Sequence, residues 1–360
     1  MNPDPVIDVD GHVLMEAADG WLDYFDAAEA REMEELLLGN RGHWYARDGG
    51  DKAAAYRAIR ERNKGEGGWD PRARLTDMDA EGIDVAVLFG TEMGLNRDAY
   101  SPGICRGYNN WLADYCAADP ERLRGVALLP LEDVDAACRE LERAVGELGF
   151  AGFFMKSSVN RRTADAAHYD PIYATAERLD VPLLLHIPHE LRTFVHEQLG
   201  YSFLRSHVIH PFSEMLSVLD VIFGGLLDRF ELLRIGFMEG QVGWLPWFVW
   251  RMQEQYEEYA PRPGMDPGLN KPPMEYLDEG RLFFSCDPEE KYLGFAAGTR
   301  LTPQTLGEDC ILWASDYPHS DAIFPGALET FMRQPDLSAD QKRKITSRNA
   351  RALLYGGAPG

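Results

Sequence analysis

Along the chain, short apolar runs rich in β-branched residues alternate with longer segments whose apolar positions recur every three or four residues. The runs are PVIDVD (5–10), GIDVAVLFG (82–90), RGVALLPL (124–131), FAGFFMK (150–156), VPLLLHI (181–187), LLRIGFMEG (232–240), RLFFSCD (281–287) and CILWASD (310–316). Their near-continuous apolar character predicts parallel strands buried on both faces. Between the third and fourth runs, Val134, Ala137, Cys138, Leu141, Val145 and Leu148 form one helical stripe that stops at Gly149. A second helix is predicted from Pro211, since proline is tolerated in a first turn, and a third from Ser338, a good N-cap.

Strands alternating with helices predict an α/β chain folded as a (β/α)8 TIM-like barrel, a single domain over 1–360. An open doubly wound sheet is the competing architecture. It ordinarily brings a glycine-rich phosphate turn after the first strand, where this chain has DGHVLM. Helical insertions follow strand 1 (16–75) and strand 5 (188–209), and their placement makes both candidate lids over the barrel mouth.

Charge and composition narrow the partners. A net charge of −23 disfavours nucleic acid and anionic membrane surfaces, and no apolar stretch reaches membrane-spanning length. A small-molecule substrate and a second copy of the chain remain as candidate partners. Five scattered cysteines without CxxC spacing argue against a disulfide framework, and the N-terminus has no secretory pattern, so a cytoplasmic location is expected.

In a barrel of this kind, chemistry sits at the C-terminal strand ends. Asp10 and His12 close strand 1, Lys156 strand 4, His186 strand 5, Glu239 strand 6, and Asp316 strand 8, followed by His319 and Asp321; His210 opens the helix after strand 5. So many carboxylates and imidazoles converging on one face need a compensating cation. Asp10 and His12, two residues apart on an extended strand, point the same way and offer a bite for one metal. Trp244 and Trp247 are candidates for an apolar substrate wall, Arg192 for a carboxylate or thioester phosphate, and Tyr317 for a hydrogen bond near the metals. Core packing and solvated surface are the competing readings for these four.

With those residues in view, the chain resembles the amidohydrolase superfamily, and SDYPH with the later NARALL is similar to its branch containing aminocarboxymuconate-semialdehyde decarboxylase. The resemblance implies metal ligation by Asp10, His12, His186 and Asp316. The chain departs from the family at Asp10, where histidine is usual, and at Glu239, where the mononuclear decarboxylases commonly carry a histidine. Adding His210, Glu239 and His319 gives seven ligand candidates, enough for two divalent ions, with iron favoured and manganese or zinc possible. On this count Glu239 bridges the ions, or Lys156 does so if carbamylated, and Asp316, Glu239 and His210 carry the catalysis. A subgroup with the same pattern resembles non-haem diiron monooxygenases. The favoured expectation is therefore hydroxylation of a bulky, terpenoid-like acid or its thioester, as in natural product biosynthesis. The alternative is hydrolysis or decarboxylation of a small carboxylic acid or amide by a metal-activated water.

Overall fold

The computed structural model describes residues 4–39, 59–61, 63–90, 100–156, 158–159, 162–186 and 208–357. Each of the eight apolar runs forms a strand: β1 (Ile7–Val13), β2 (Val85–Gly90), β3 (Leu123–Ala127), β4 (Gly152–Lys156), β5 (Leu183–His186), β6 (Ile235–Met238), β7 (Leu282–Cys286) and β8 (Ile311–Trp313). They pair in chain order, all parallel, from β1 to β8. Burial of nearly every strand residue explains why the runs lack the alternation of a one-sided sheet.

Helices cross between the strands, as right-handed parallel connections require. They are α1 (Pro71–Glu81), α2 (Pro102–Cys116), α3 (Val134–Gly146), α4 (Asp170–Leu179), α5 (His210–Phe223), α6 (Leu245–Tyr259) and the short α7 (Leu293–Gly298). Local chemistry sets their ends. Asp70 caps α1 by accepting from Arg72 N at 2.8 Å, and Asp133 caps α3 by accepting from Ala136 N at 3.0 Å. α5 starts at His210 with Pro211 in its first turn. Ser338 caps the terminal helical stretch with Gln341 in a capping box. That stretch continues through a π turn at Lys344–Arg348 to a last helix, Asn349–Tyr355.

Two strand boundaries differ from the apolar pattern in ways that matter. β1 runs on through Gly11 and His12 to Val13, and its register with β2 slips between Asp8 and Gly11, where one extra residue is accommodated. β6 and β8 stop before Glu239 and Asp316, which follow the strands with φ of 63° and 56°. Left-handed backbone is uncommon for residues other than glycine, and it turns both side chains back over the barrel mouth.

The first insertion contains the helix Ala27–Gly39 and short 3-10 turns at Met15–Ala17 and Trp21–Tyr24. Of the second insertion, 188–207, including Arg192, lies outside the described residues. The five cysteines are free thiols. No helix among the described residues is long and apolar enough to cross a membrane.

Candidate metal centre

The site is built on the seam where β8 meets β1. Asp316 N donates to Asp10 O at 3.0 Å and His12 N to Tyr317 O at 2.7 Å, so the two strand ends present their side chains together. Asp10, His12 and His186 are at most 1% exposed. His12 Nε2 lies 3.3 Å from Asp10 Oδ1 and 3.1 Å from Asp316 Oδ1, and His186 Nε2 lies 3.4 Å from Asp10 Oδ1. Phe89 stands beneath, its ring 6.1 Å from that of His12 and 5.5 Å from that of His186.

These contacts are close, yet Asp10 Oδ1, Asp316 Oδ1 and both ring nitrogens of His12 and His186 make no well-formed hydrogen bond. Buried polar atoms are seldom left so. Nitrogen and oxygen atoms that crowd together without hydrogen-bond alignment are what a set of ligands aimed at one cation looks like. Asp10, His12 and His186 each offer a ligand atom within 4.8 Å of the others, as do His12, Asp316 and His319. The donor set, imidazole and carboxylate without thiolate, fits a divalent metal ion.

The groups also act on one another's charge. Burial favours neutral His12, but the adjacent Asp10 and Asp316 carboxylates outweigh that and push the imidazole up to about 10. Burial likewise opposes ionised Asp10, while His186 and His12 hold it down at about 2. Asp316 is also kept well below the usual carboxylate range, against burial, by His319 and His12.

The remaining candidates divide. Glu239 sits between two imidazoles, Oε2 at 3.4 Å from His186 Nδ1 and Oε1 at 3.7 Å from His210 Nδ1, and its backbone N donates to Ser285 Oγ at 2.9 Å. Burial first, then Asp316 and Asp10, push its carboxyl well above the ordinary range. His319 Nδ1 is 2.8 Å from Asp316 Oδ1, and its ring stacks on that of His12 at 4.0 Å. Lys156 is buried and in register with His186. A cleft of about 470 Å³ opens over the site, lined by His210, Glu239, Asp287, Asp316 and the exposed Asp321 among others.

Three expected site residues are placed elsewhere. The Tyr317 hydroxyl donates to Asp77 and accepts from Gly67 N at 3.2 Å, with Arg74 over its ring, so it packs under the loop that holds the site. Trp247 is 55% exposed on the outer face of α6. Trp244 packs edge-on against Phe248 and Phe284 and donates its indole N–H to Gly240 O at 2.8 Å, which fixes the turn after Glu239 instead of walling a pocket. Asp10 and Asp316 both approach Nε2 of His12, and the two trios overlap at that residue.

Two further residues belong to the site. Glu214, one turn after His210 on α5, is fully buried, and burial first, then Asp10, raises its carboxyl well above the usual value. Its i, i+4 spacing from His210 was the available signal. Asp287 follows β7, accepts from Gln241 Nε2 at 2.7 Å, and is pushed up to about 6, mainly by burial.

Comparison with known proteins corrects the functional expectation. The chain is 34% identical over 298 residues to a gamma-resorcylate decarboxylase of Polaromonas sp., covering 79% of this chain and 86% of that one. It is 25% identical over 294 residues to the 2-amino-3-carboxymuconate-6-semialdehyde decarboxylase of Dictyostelium discoideum, covering 79% and 77%. A crystal structure of a dihydroxybenzoic acid decarboxylase from Polaromonas sp., with bound manganese and the inhibitor 2-nitroresorcinol, superposes with a TM-score of 0.69. Identity is 24%, with 98% of this chain and 97% of that one covered, and the likeness bears on the fold. These relatives are decarboxylases, which overturns the expected diiron monooxygenase and its terpenoid-like substrate. Residues 7–355 match the family described as amidohydrolase, and the chain belongs to that family.

Proposed function

We propose that the protein is a divalent-metal-dependent decarboxylase of a hydroxylated aromatic carboxylic acid. The observation that carries this reading is the set of buried Asp10, His12 and His186 with half-buried Asp316, in a chain 34% identical to a gamma-resorcylate decarboxylase. These four residues would hold one ion. Manganese is the first candidate, because it is bound in the Polaromonas structure and suits oxygen and nitrogen donors. When bound, the ion supplies positive charge for a substrate carboxylate and a neighbouring hydroxyl oxygen.

The cleft explains why such charge is needed. Asp287, Glu289, Asp316 and Asp321 all line it, so an anionic aromatic acid meets like charge on entry. Decarboxylation then breaks the bond between the ring and the carboxyl carbon, releases carbon dioxide and places a proton on the ring carbon. No oxidant or reductant enters, so the protein has one proton to deliver. Glu239, held between His186 and His210 on the wall of the same cleft, is assigned that delivery, with His210 exchanging protons with solvent. His319 orients the Asp316 carboxylate through its 2.8 Å contact.

The test is carbon dioxide release from 2,6-dihydroxybenzoate and related hydroxybenzoates by chelator-treated protein before and after manganese loading. Metal-dependent, oxygen-independent release is expected. Absence of release from every hydroxybenzoate by metal-loaded protein, or turnover only with oxygen, would overturn the assignment.

A further inference from the structure

The sheet that carries this site is least continuous where the ligands sit. β8 pairs with β7 over Ile311–Trp313, yet no ladder joins β8 to β1 among the described residues. The main-chain bonds across that seam are Asp316 N to Asp10 O and His12 N to Tyr317 O, both above the last residue of β8. A metal set drawn from both sides of such a gap depends on whatever keeps the sides in register.

Side chains supply the missing connection. The Asp8 carboxylate accepts from Ser315 N at 2.9 Å, Ser315 Oγ at 2.6 Å and Asp10 N at 3.3 Å. Ser315 Oγ in turn accepts from Tyr317 N at 3.1 Å, so the amides of both residues flanking Asp316 are tied to one carboxylate on β1, Ser315 directly and Tyr317 through the Ser315 hydroxyl. From the helix layer, the Arg74 guanidinium donates to His12 O, to Tyr317 O at 3.4 Å and to Gly67 O at 3.2 Å, with its charge 4.6 Å over the Tyr317 ring. Asp8, Ser315 and Arg74 are each only 1% exposed.

The extra residue in β1 makes this arrangement possible. In an unbroken strand Asp8, Asp10 and His12 would share a face. With the slip, Asp8 shares a face with Gly11, and Asp10 and His12 turn to the other. A Cβ on Gly11 would lie 3.3 Å from Asp8 Oδ2, so the glycine leaves room for the carboxylate.

We propose that Asp8, Ser315 and Arg74 form a clamp across the β8–β1 seam that positions Asp10, His12 and Asp316 as metal ligands. They are positioning residues and touch neither substrate nor ion. The inference rests on the assignment of those three residues to the metal.

Equilibrium dialysis of the chelator-treated full-length protein against manganese, with elemental analysis, tests it. Asp8→Asn and Ser315→Ala should weaken manganese binding by about tenfold to a hundredfold, the effect of removing groups that orient ligands. Arg74→Met should do the same and Arg74→Lys should recover part of the loss; if Arg74→Met does not fold, the two milder variants decide. Glu140→Gln is the control. It disturbs another buried network, in which Glu140 accepts from Asn109 at 2.8 Å and Arg143 at 2.6 Å, and should lower Tm while leaving manganese affinity unchanged. The electron paramagnetic resonance spectrum of bound manganese should broaden in the seam variants and not in the control. Wild-type affinity in both Asp8→Asn and Ser315→Ala would overturn the clamp. Failure of the wild-type chain to take up manganese would instead overturn the metal assignment on which it stands.

Discussion

Glu239 occupies a backbone conformation that its side-chain chemistry makes worth keeping, and the two contributions can be separated by a pair of variants. Its φ is 63°, in the left-handed region, where a residue bearing Cβ costs about 1–2 kcal/mol. Glu239→Ala and Glu239→Gly both remove the carboxyl that lies between His186 and His210, so they differ only in the backbone term. Glycine carries an entropic cost of about 0.5–1 kcal/mol relative to alanine in ordinary structure, and here relief of strain exceeds it. The glycine variant should therefore be the more stable of the two by about 0.5–1 kcal/mol, reversing the usual order. Urea unfolding in the presence of chelator measures this without the contribution of bound metal. An alanine variant as stable as the glycine variant, or more so, would refute the strain. Both variants should lose carbon dioxide release; wild-type turnover in either would remove Glu239 from proton delivery.

Other outcomes follow from single contacts. His186→Ala should leave manganese at background after dialysis and abolish turnover, checked by elemental analysis beside the carbon dioxide assay. Glu290 accepts from Val242 N at 2.9 Å and Gly243 N at 2.6 Å, but burial dominates and moves its carboxyl from 4.5 to about 7. The folded chain then binds that proton more tightly than the unfolded one. The contribution of Glu290 to stability should therefore be fully present below the ordinary glutamate value and be lost as pH rises towards 7, and Glu290→Gln should remove this component, up to about 3 kcal/mol, from the difference between urea melts at the two ends of that range. Trp247→Ala should leave KM unchanged and alter stability by less than about 0.5 kcal/mol, because the ring faces solvent.

The barrel was legible because strands buried on both faces print as unbroken apolar runs, and each of the eight runs holds one strand. Their ends were less legible. The run 124–131 continues four residues past β3 because Leu128, Leu129 and Leu131 are buried without strand pairing, Leu128 N being held by the Asn109 side chain at 3.0 Å. Asp10, His12, His186 and Asp316 could be named from strand-end position alone, and the fold brings them together. Their count does not give the number of metals, since a sequence shows how many candidate ligands exist and not which of them converge, as two carboxylates do on one imidazole nitrogen. Asp8 was invisible as a clamp for a related reason. Alternation places it with Asp10, and only the slip in register turns it away. Trp244 has the composition of a binding wall and Tyr317 that of a hydrogen-bonding partner near the metals, but their polar atoms are engaged by Gly240 and Asp77.

The seam also sets an order of events in the life of the chain. Asp8 and Ser315, 307 residues apart, meet across it. A ribosome has released most of the barrel before the eighth strand exists, so the nascent protein carries Asp10, His12 and His186 without Asp316. Under the proposed assignment, metal captured early would lack one of its four ligands and exchange more freely. Secure loading would then mark a barrel closed by its last strand, and proteolysis of that strand would release the ion.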